Sequence, residues 1–162
     1  MLQSPGFIRP MQSDEGDAAD RLLRLAYDGG VAAGRVKALR KSGAMAGEMV
    51  LPCDDRIIGY YGLSTMVQPK GWLCLAAVAI DPDWQGLRHG KRMIGQLAEW
   101  ARVSGVFVVA LHTPEFFTRA GFSQPRTEGL RSPVAPADLT LAGPGDEVPQ
   151  QALSFPKAFG GL

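Results

Sequence analysis

The stretch LAAVAIDPDWQGLRHGK, residues 75–91, decides the fold. It continues an apolar run that begins at Trp72 and ends at Ile80, stops at Asp81-Pro82, passes Gln85-Gly86 and Gly90, and restarts as an amphipathic pattern reaching Ser104. In order these are strand, tight loop and helix. Such a junction points several backbone N–H groups and the positive end of a helix dipole into one small volume, which suits it to hold phosphate.

Downstream, Met93, Leu97, Trp100, Ala101 and Ser104 mark one helical stripe, with Lys91, Arg92, Gln96, Glu99 and Arg102 opposite. Gly105 ends that helix. Val106 to Leu111 is apolar at both parities and reads as a strand buried on both faces, like Trp72 to Ile80. A strand that follows a strand-loop-helix unit lies parallel to the first by a right-handed crossover. Pro114 to Ala120 then reads as a short helix that tolerates proline in its first turn and stops at Gly121.

Upstream, Met49 to Pro52 and Ile57 to Val67 flank the polar turn Cys53-Asp54-Asp55-Arg56 as a β-hairpin, and Gln68 to Gly71 turns the chain into the central strand. Phe7 to Arg9 is a short strand candidate. Ser13 or Asp14 offers an N-cap for a helix over Ala18 to Tyr27, which Asp28-Gly29-Gly30 breaks. A second helix, Val31 to Lys41, carries Arg35, Lys37, Arg40 and Lys41, a charge run of the kind that forms a solvated face. The segment 123–162 holds half of the twelve prolines and reads as edge strands and long loops, with Leu153, Phe155 and Phe159 needing burial.

The chain has 162 residues, 46% hydrophobic and 20% charged, enough for one globular domain over 1–162. A net charge of +1, with the basic residues scattered, argues against nucleic acid as a partner. The longest apolar run is far below the roughly 18 residues of a membrane span, and the first ten residues lack a signal-peptide pattern, so no membrane partner and a cytoplasmic location are expected. Cys53 and Cys74 show no metal-ligand or redox spacing and read as packed, reduced thiols; no metal is expected.

The element order β-α-α-β-β-β-α-β-α-β, the loop Gln85-Gly86-Leu87-Arg88-His89-Gly90 and the segment Phe117 to Phe122 resemble the GNAT superfamily of acyl-CoA-dependent N-acyltransferases. The loop matches the signature Q/R-x-x-G-x-G/A, and Phe117 to Phe122 matches an aromatic, three residues, then Gly-Phe. The stretch TPEFFTRAGF and the closing LSFPKAF are similar to the YhbS-like branch. Each motif alone is common; their joint order, with a buried strand before each, is specific.

The resemblance implies an α+β fold, an α/β/α sandwich. Its mixed, mostly antiparallel sheet would have six or seven strands, a splayed parallel pair formed by strands four and five, and about four helices. It implies N-acetyl transfer from acetyl-CoA to a primary amine of a small molecule or peptide, or else an acyl-CoA-binding sensor or interaction module of the same fold. Homodimer formation is left open. Gln85, Gly86, Leu87, Arg88, His89, Gly90 and Lys91 would hold the pyrophosphate. Main-chain groups near Val78 and Ile80 would bind the pantetheine and polarise the thioester, with Phe117 beside them.

Two positions depart from the pattern. Arg88 replaces the middle glycine and would either obstruct the phosphates, if its φ is positive, or reach them as a donor, or point to solvent. Phe117 stands where many members carry the tyrosine that protonates the departing thiolate, and a phenyl ring donates nothing. His112 and Glu115 are the candidate acid–base residues, because an imidazole titrates near neutrality and Glu115 lies close by. For the acceptor, a pocket is expected between Tyr27 and Asp28 on one side and Arg131 to Asp138 on the other.

Overall fold

Apolar segments pair into a sheet whose breaks fall at the polar and glycine turns. The computed structural model describes residues 5–160. In chain order the elements are β1 (Arg9–Pro10), α1 (Gly16–Ala26), α2 (Val31–Ser42), β2 (Met45–Cys53), β3 (Arg56–Thr65), β4 (Leu73–Ile80), α3 (His89–Ser104), β5 (Val108–Leu111), α4 (Pro114–Arg119), β6 (Leu130–Arg131), β7 (Leu139–Ala142) and β8 (Gln151–Ala152). The main sheet has six strands in the order β1-β2-β3-β4-β5-β7, all antiparallel except the β4–β5 pair. The tail adds a separate parallel ribbon of β6 and β8. This is the mixed α+β fold with four helices that the sequence implied, and its parallel pair is strands four and five.

Helices cover both faces. On one, Ala19, Leu22 and Leu23 of α1 and Ala33 and Val36 of α2 pack on Val50, Tyr60, Ala77 and Ala79. On the other, Met93, Ile94, Leu97 and Ala101 of α3 and Phe117 of α4 pack on Leu51, Ile58, Tyr61, Leu75 and Ile80. The tail folds against a third cluster, in which Leu153, Phe155 and Phe159 meet Leu39, Trp72, Cys74 and Val109. Arg126 fixes its loop by donating to the carbonyls of Gly143, Pro144 and Glu147 at 3.2, 2.7 and 2.8 Å.

One irregularity shapes the site. In the β3–β4 ladder Leu63 pairs with Leu75 but Gly62 pairs with Ala77, so Ala76 is an extra residue, a β-bulge. The bulge inverts the alternation. Cys74 and Ala76 and then Ala77 and Ala79 belong to clusters on the α1/α2 side, whereas Leu75 and Ile80 belong to the α3 side.

Several expectations are corrected. Trp100 is 44% exposed, because the buried stripe of α3 runs through Met93, Ile94, Leu97, Ala98 and Ala101 and a residue 100° from Ala101 falls on its flank. Neither Ser13 nor Asp14 caps α1; Glu15 reaches back to the Gln12 N–H at 2.7 Å, and the helix begins at Gly16. The first strand is Arg9–Pro10 with Phe7 exposed, and β5 starts at Val108, two residues later than its apolar run. The charge run of α2 is only half a solvated face: Arg40 pairs with Glu48 at 2.6 Å, and Arg35 turns into a cavity. Among the described residues no helix is long and apolar enough to cross a membrane.

Candidate active site

β4 and β5 pair only at Leu73↔Val108 and Cys74↔Val109. Beyond Cys74 the strands diverge, and β5 spends its other edge on β7. The carbonyls of β4 on the open side are therefore met by side chains instead of a strand: Gln85 Nε2 donates to Ile80 at 2.9 Å, the Tyr27 hydroxyl donates to Val78, and Arg35 Nη1 lies 3.5 Å from the Ala76 oxygen. A strand residue presents its N–H on the same side as its C=O, so the Val78 and Ile80 amides face the same opening.

The loop after β4 is held from below. Asp81, 5% exposed, accepts from the Asp83 N–H at 2.9 Å and from Arg56 Nη2 at 3.0 Å. Gln85 ties the loop back to the strand end, which gives this leading residue of the motif a mechanical role. Gly86 turns at φ +79°, a conformation glycine adopts without strain. Arg88 forms the N-cap of α3 at φ +67°, and no side chain caps that helix, so the first-turn amides of His89, Gly90 and Lys91 have no intrahelical partner. A Cβ on Gly90 would lie 3.4 Å from the Phe116 ring, an ordinary packing contact, so this turn sits directly against α4.

Two cavities flank the open edge. The first, of about 730 Å³, is lined by Val78, Ile80, Gln85, Gly86, Arg88, His89, Gly90 and Lys91, with Glu115, Phe117 and Arg119 across from them. Leu87 does not line it and is 57% exposed. The second, of about 380 Å³, lies under α2 and takes in Arg35, Ala76, Ala77 and His112. Tyr27, Val78, Thr113 and Phe117 line both and form the wall between them.

The two acid–base candidates are thus separated: Glu115 faces the first cavity, among cations, and His112 the second. His112 and Thr113 are consecutive left-handed residues, φ +65° and +38°, a strained turn at the end of β5. The second cavity is not walled by Arg131 to Asp138; the Asp138 carbonyl instead accepts from the His112 N–H at 2.7 Å, so the tail closes behind β5. The side chain of Asp28 lies outside what the structure describes. Among the described residues no cluster of His, Cys, Asp or Glu could hold a metal ion.

Tyr27 is more than a wall. Its phenol sits on β4 at the junction of both cavities, and burial pushes its pKa up, so it stays protonated at neutral pH. No spacing in the sequence connects it to Val78, 51 residues later. Phe117, buried between Phe116 and Phe122, supplies only a ring face.

Residues 17–122 match the model of the acetyltransferase (GNAT) family. No curated sequence matches the chain. Among solved structures, the GNAT family N-acetyltransferase YhbS from Escherichia coli in complex with CoA superposes with a TM-score of 0.81 at 20% identity, over 98% of this chain and 93% of that one. A GNAT family acetyltransferase from Brucella melitensis in complex with acetyl-CoA gives 0.75 at 21% identity, over 94% and 97%. The ribosomal-protein-S18-alanine N-acetyltransferase from Escherichia coli gives 0.56 at 13%, over 84% and 89%. At these identities the likeness is one of fold.

Proposed function

The chain belongs to the GNAT acetyltransferase family, and from that premise we propose that it moves an acetyl group from acetyl-CoA to a primary amine of a small molecule or peptide, by direct attack in a ternary complex. The observation that carries this is the unpaired edge of β4 standing between two cavities, one with a phosphate-type loop and one without.

The first cavity fits CoA. The amides of His89, Gly90 and Lys91, with Arg88, Lys91 and Arg119 beside them, suit the pyrophosphate, and the open amides of Val78 and Ile80 suit the pantetheine. CoA brings an activated acetyl group as a thioester. His112, on the acceptor side, takes one proton from the ammonium and passes it to solvent. The amine nitrogen then attacks the carbonyl carbon while main-chain N–H groups of β4 hold the charge that develops on oxygen. As the C–S bond breaks, Tyr27 gives its hydroxyl proton to the thiolate and regains one from the nitrogen, supplying what Phe117 lacks. Glu115 lies on the phosphate side, where a carboxylate orients Arg119 or Lys91 more readily than it reaches an amine.

Phe117 also favours a second reading, an acyl-CoA-binding module with little transfer. Release of free CoA thiol against an amine panel separates the two. Thiol release that requires both acetyl-CoA and amine, and a kcat that falls on the order of 10²-fold in Tyr27→Phe with CoA affinity held, supports the enzyme. CoA binding without amine-dependent release would make the protein a binding module.

A further inference from the structure

Arg35 rises from α2 into the second cavity, and its partners do not satisfy it. Its Nε is buried with no hydrogen-bond partner, and its Nη1 reaches only the Ala76 carbonyl at 3.5 Å. The guanidinium carbon lies 5.0 Å from the centroid of the Phe159 ring, a cation–π contact. Among the described residues no carboxylate lies within ion-pair distance of it, although Lys37 and Arg40 of the same helix pair with Asp20 and Glu48. A half-buried guanidinium with an unmet donor is costly unless an anion completes it, and its planar fork of donors matches a carboxylate.

The surroundings limit what that anion is attached to. Tyr27, Thr113 and His112 line the cavity at the shared wall and the end of β5, while Val31, Ala32, Leu75, Ala77 and Leu111 offer a bound molecule only apolar side chains. Along β4 the Ala76 carbonyl beside Arg35 and the Val78 carbonyl beside Tyr27 are two residues apart, roughly 7 Å at strand spacing. A molecule anchored at Arg35 therefore reaches the wall shared with the first cavity within a few bonds. We propose that the acceptor is a carboxylate-bearing primary amine of the amino-acid class with an apolar side chain, its carboxylate held by Arg35 and its nitrogen delivered between Val78 and Tyr27. This rests on the second cavity being the acceptor side.

The test separates the anion site from the transfer reaction. Binding of N-acetyl-leucine and N-acetyl-leucinamide is measured by calorimetry, with CoA present, to the wild type, Arg35→Gln and Arg35→Lys, each checked for an unchanged CoA affinity and thermal midpoint. The carboxylate is expected to bind at least ten-fold more tightly than the amide to the wild type, the two equally to Arg35→Gln, and Arg35→Lys to restore part of the difference. Equal binding of the two to the wild type, including no binding of either at millimolar concentration, overturns the proposal, as does a preference that survives in Arg35→Gln. Thiol release is then followed with leucine and with isopentylamine. An Arg35-dependent carboxylate preference without thiol release keeps the anion site and removes acetyl transfer. Equal kcat/KM for the two amines keeps transfer and removes the anion site.

Discussion

Arg88 holds a backbone conformation that suits glycine, φ +67°, at the N-cap of α3, and its side chain borders the large cavity with no ion-pair partner among the described residues. These facts pull in opposite directions on substitution. In Arg88→Gly the left-handed strain, about 1–2 kcal/mol for a residue with a Cβ, is relieved and only partly offset by the greater freedom of glycine in the unfolded chain. The variant should gain about 0.5–1 kcal/mol in denaturant unfolding yet bind CoA on the order of ten-fold more weakly in calorimetry. Tighter CoA binding would mean that the side chain obstructs. His112 has the same backbone demand, φ +65°, which histidine and asparagine tolerate better than most residues. His112→Asn therefore removes the imidazole and keeps the turn, and should lower turnover on the order of 10²-fold with CoA affinity unchanged. Unchanged turnover takes His112 out of the mechanism.

At the scale of elements, the long helices were legible from their apolar stripes and the central strands from unbroken apolar runs, and the loop after β4 because glycine, helix start and buried strand coincide in sequence. The β4 bulge was not. Its residues, Ala76 and Ala77, are apolar like their neighbours, so no polar alternation betrays the inversion, although those small side chains give the second cavity its room. Tyr27 was expected at an acceptor pocket and lines one, but that Arg35 and His112 share its opening was hidden, since it depends on contacts between α2, β4 and β5. Polar ties inside the elements are testable in the same way. Glu48 of β2 accepts from Arg40 at 2.6 and 2.9 Å and from the Tyr60 hydroxyl at 2.6 Å, while Tyr60 is fully buried and its phenol is pushed far above its ordinary pKa, first by burial and then by Glu48. Glu48→Ala strands that hydroxyl and should cost about 1–3 kcal/mol, seen as a lower denaturation midpoint. Glu15 ties β1 to the start of α1: the two hydrogen bonds from Arg9, at 2.7 and 2.8 Å, and then the Gln12 N–H lower its pKa to about 2 from 4.5. A carboxylate depressed in the folded state stabilises above its unfolded pKa and loses that contribution as protons are taken up. Wild type should therefore lose thermal stability between about pH 4.5 and 2 relative to Glu15→Gln, and parallel pH profiles of the two would remove the tie from the acid response.

The whole molecule converts one topological fact into a working arrangement. Because β4 and β5 share only two register pairs while β5 pairs with β7 along its whole other edge, the sheet opens from its middle, and helices from opposite faces, α1 and α2 on one side and α3 and α4 on the other, each close one cavity onto the gap. A ligand in the first cavity bridges the α3 loop, β4 and α4, and one in the second bridges α2, β4 and the end of β5. Their effects on stability should thus be separable. At a hundred-fold excess over its Kd, CoA should stabilise the folded chain by about 2.7 kcal/mol, a rise of about 5–10 °C in Tm for a domain of this size. Arg35→Gln, at a residue that lines the second cavity and not the first, should show the full rise. Arg88→Gly at the same CoA concentration should show about 3–5 °C less, the equivalent of a ten-fold weaker Kd. Raising the salt concentration should shrink the wild-type rise more than that of Arg88→Gly, because screening weakens a charge contact the variant has already lost. A thermal scan of the three proteins with and without CoA, at two salt concentrations, checks this, and an equal loss of the CoA response in both variants would mean that the two cavities are one site.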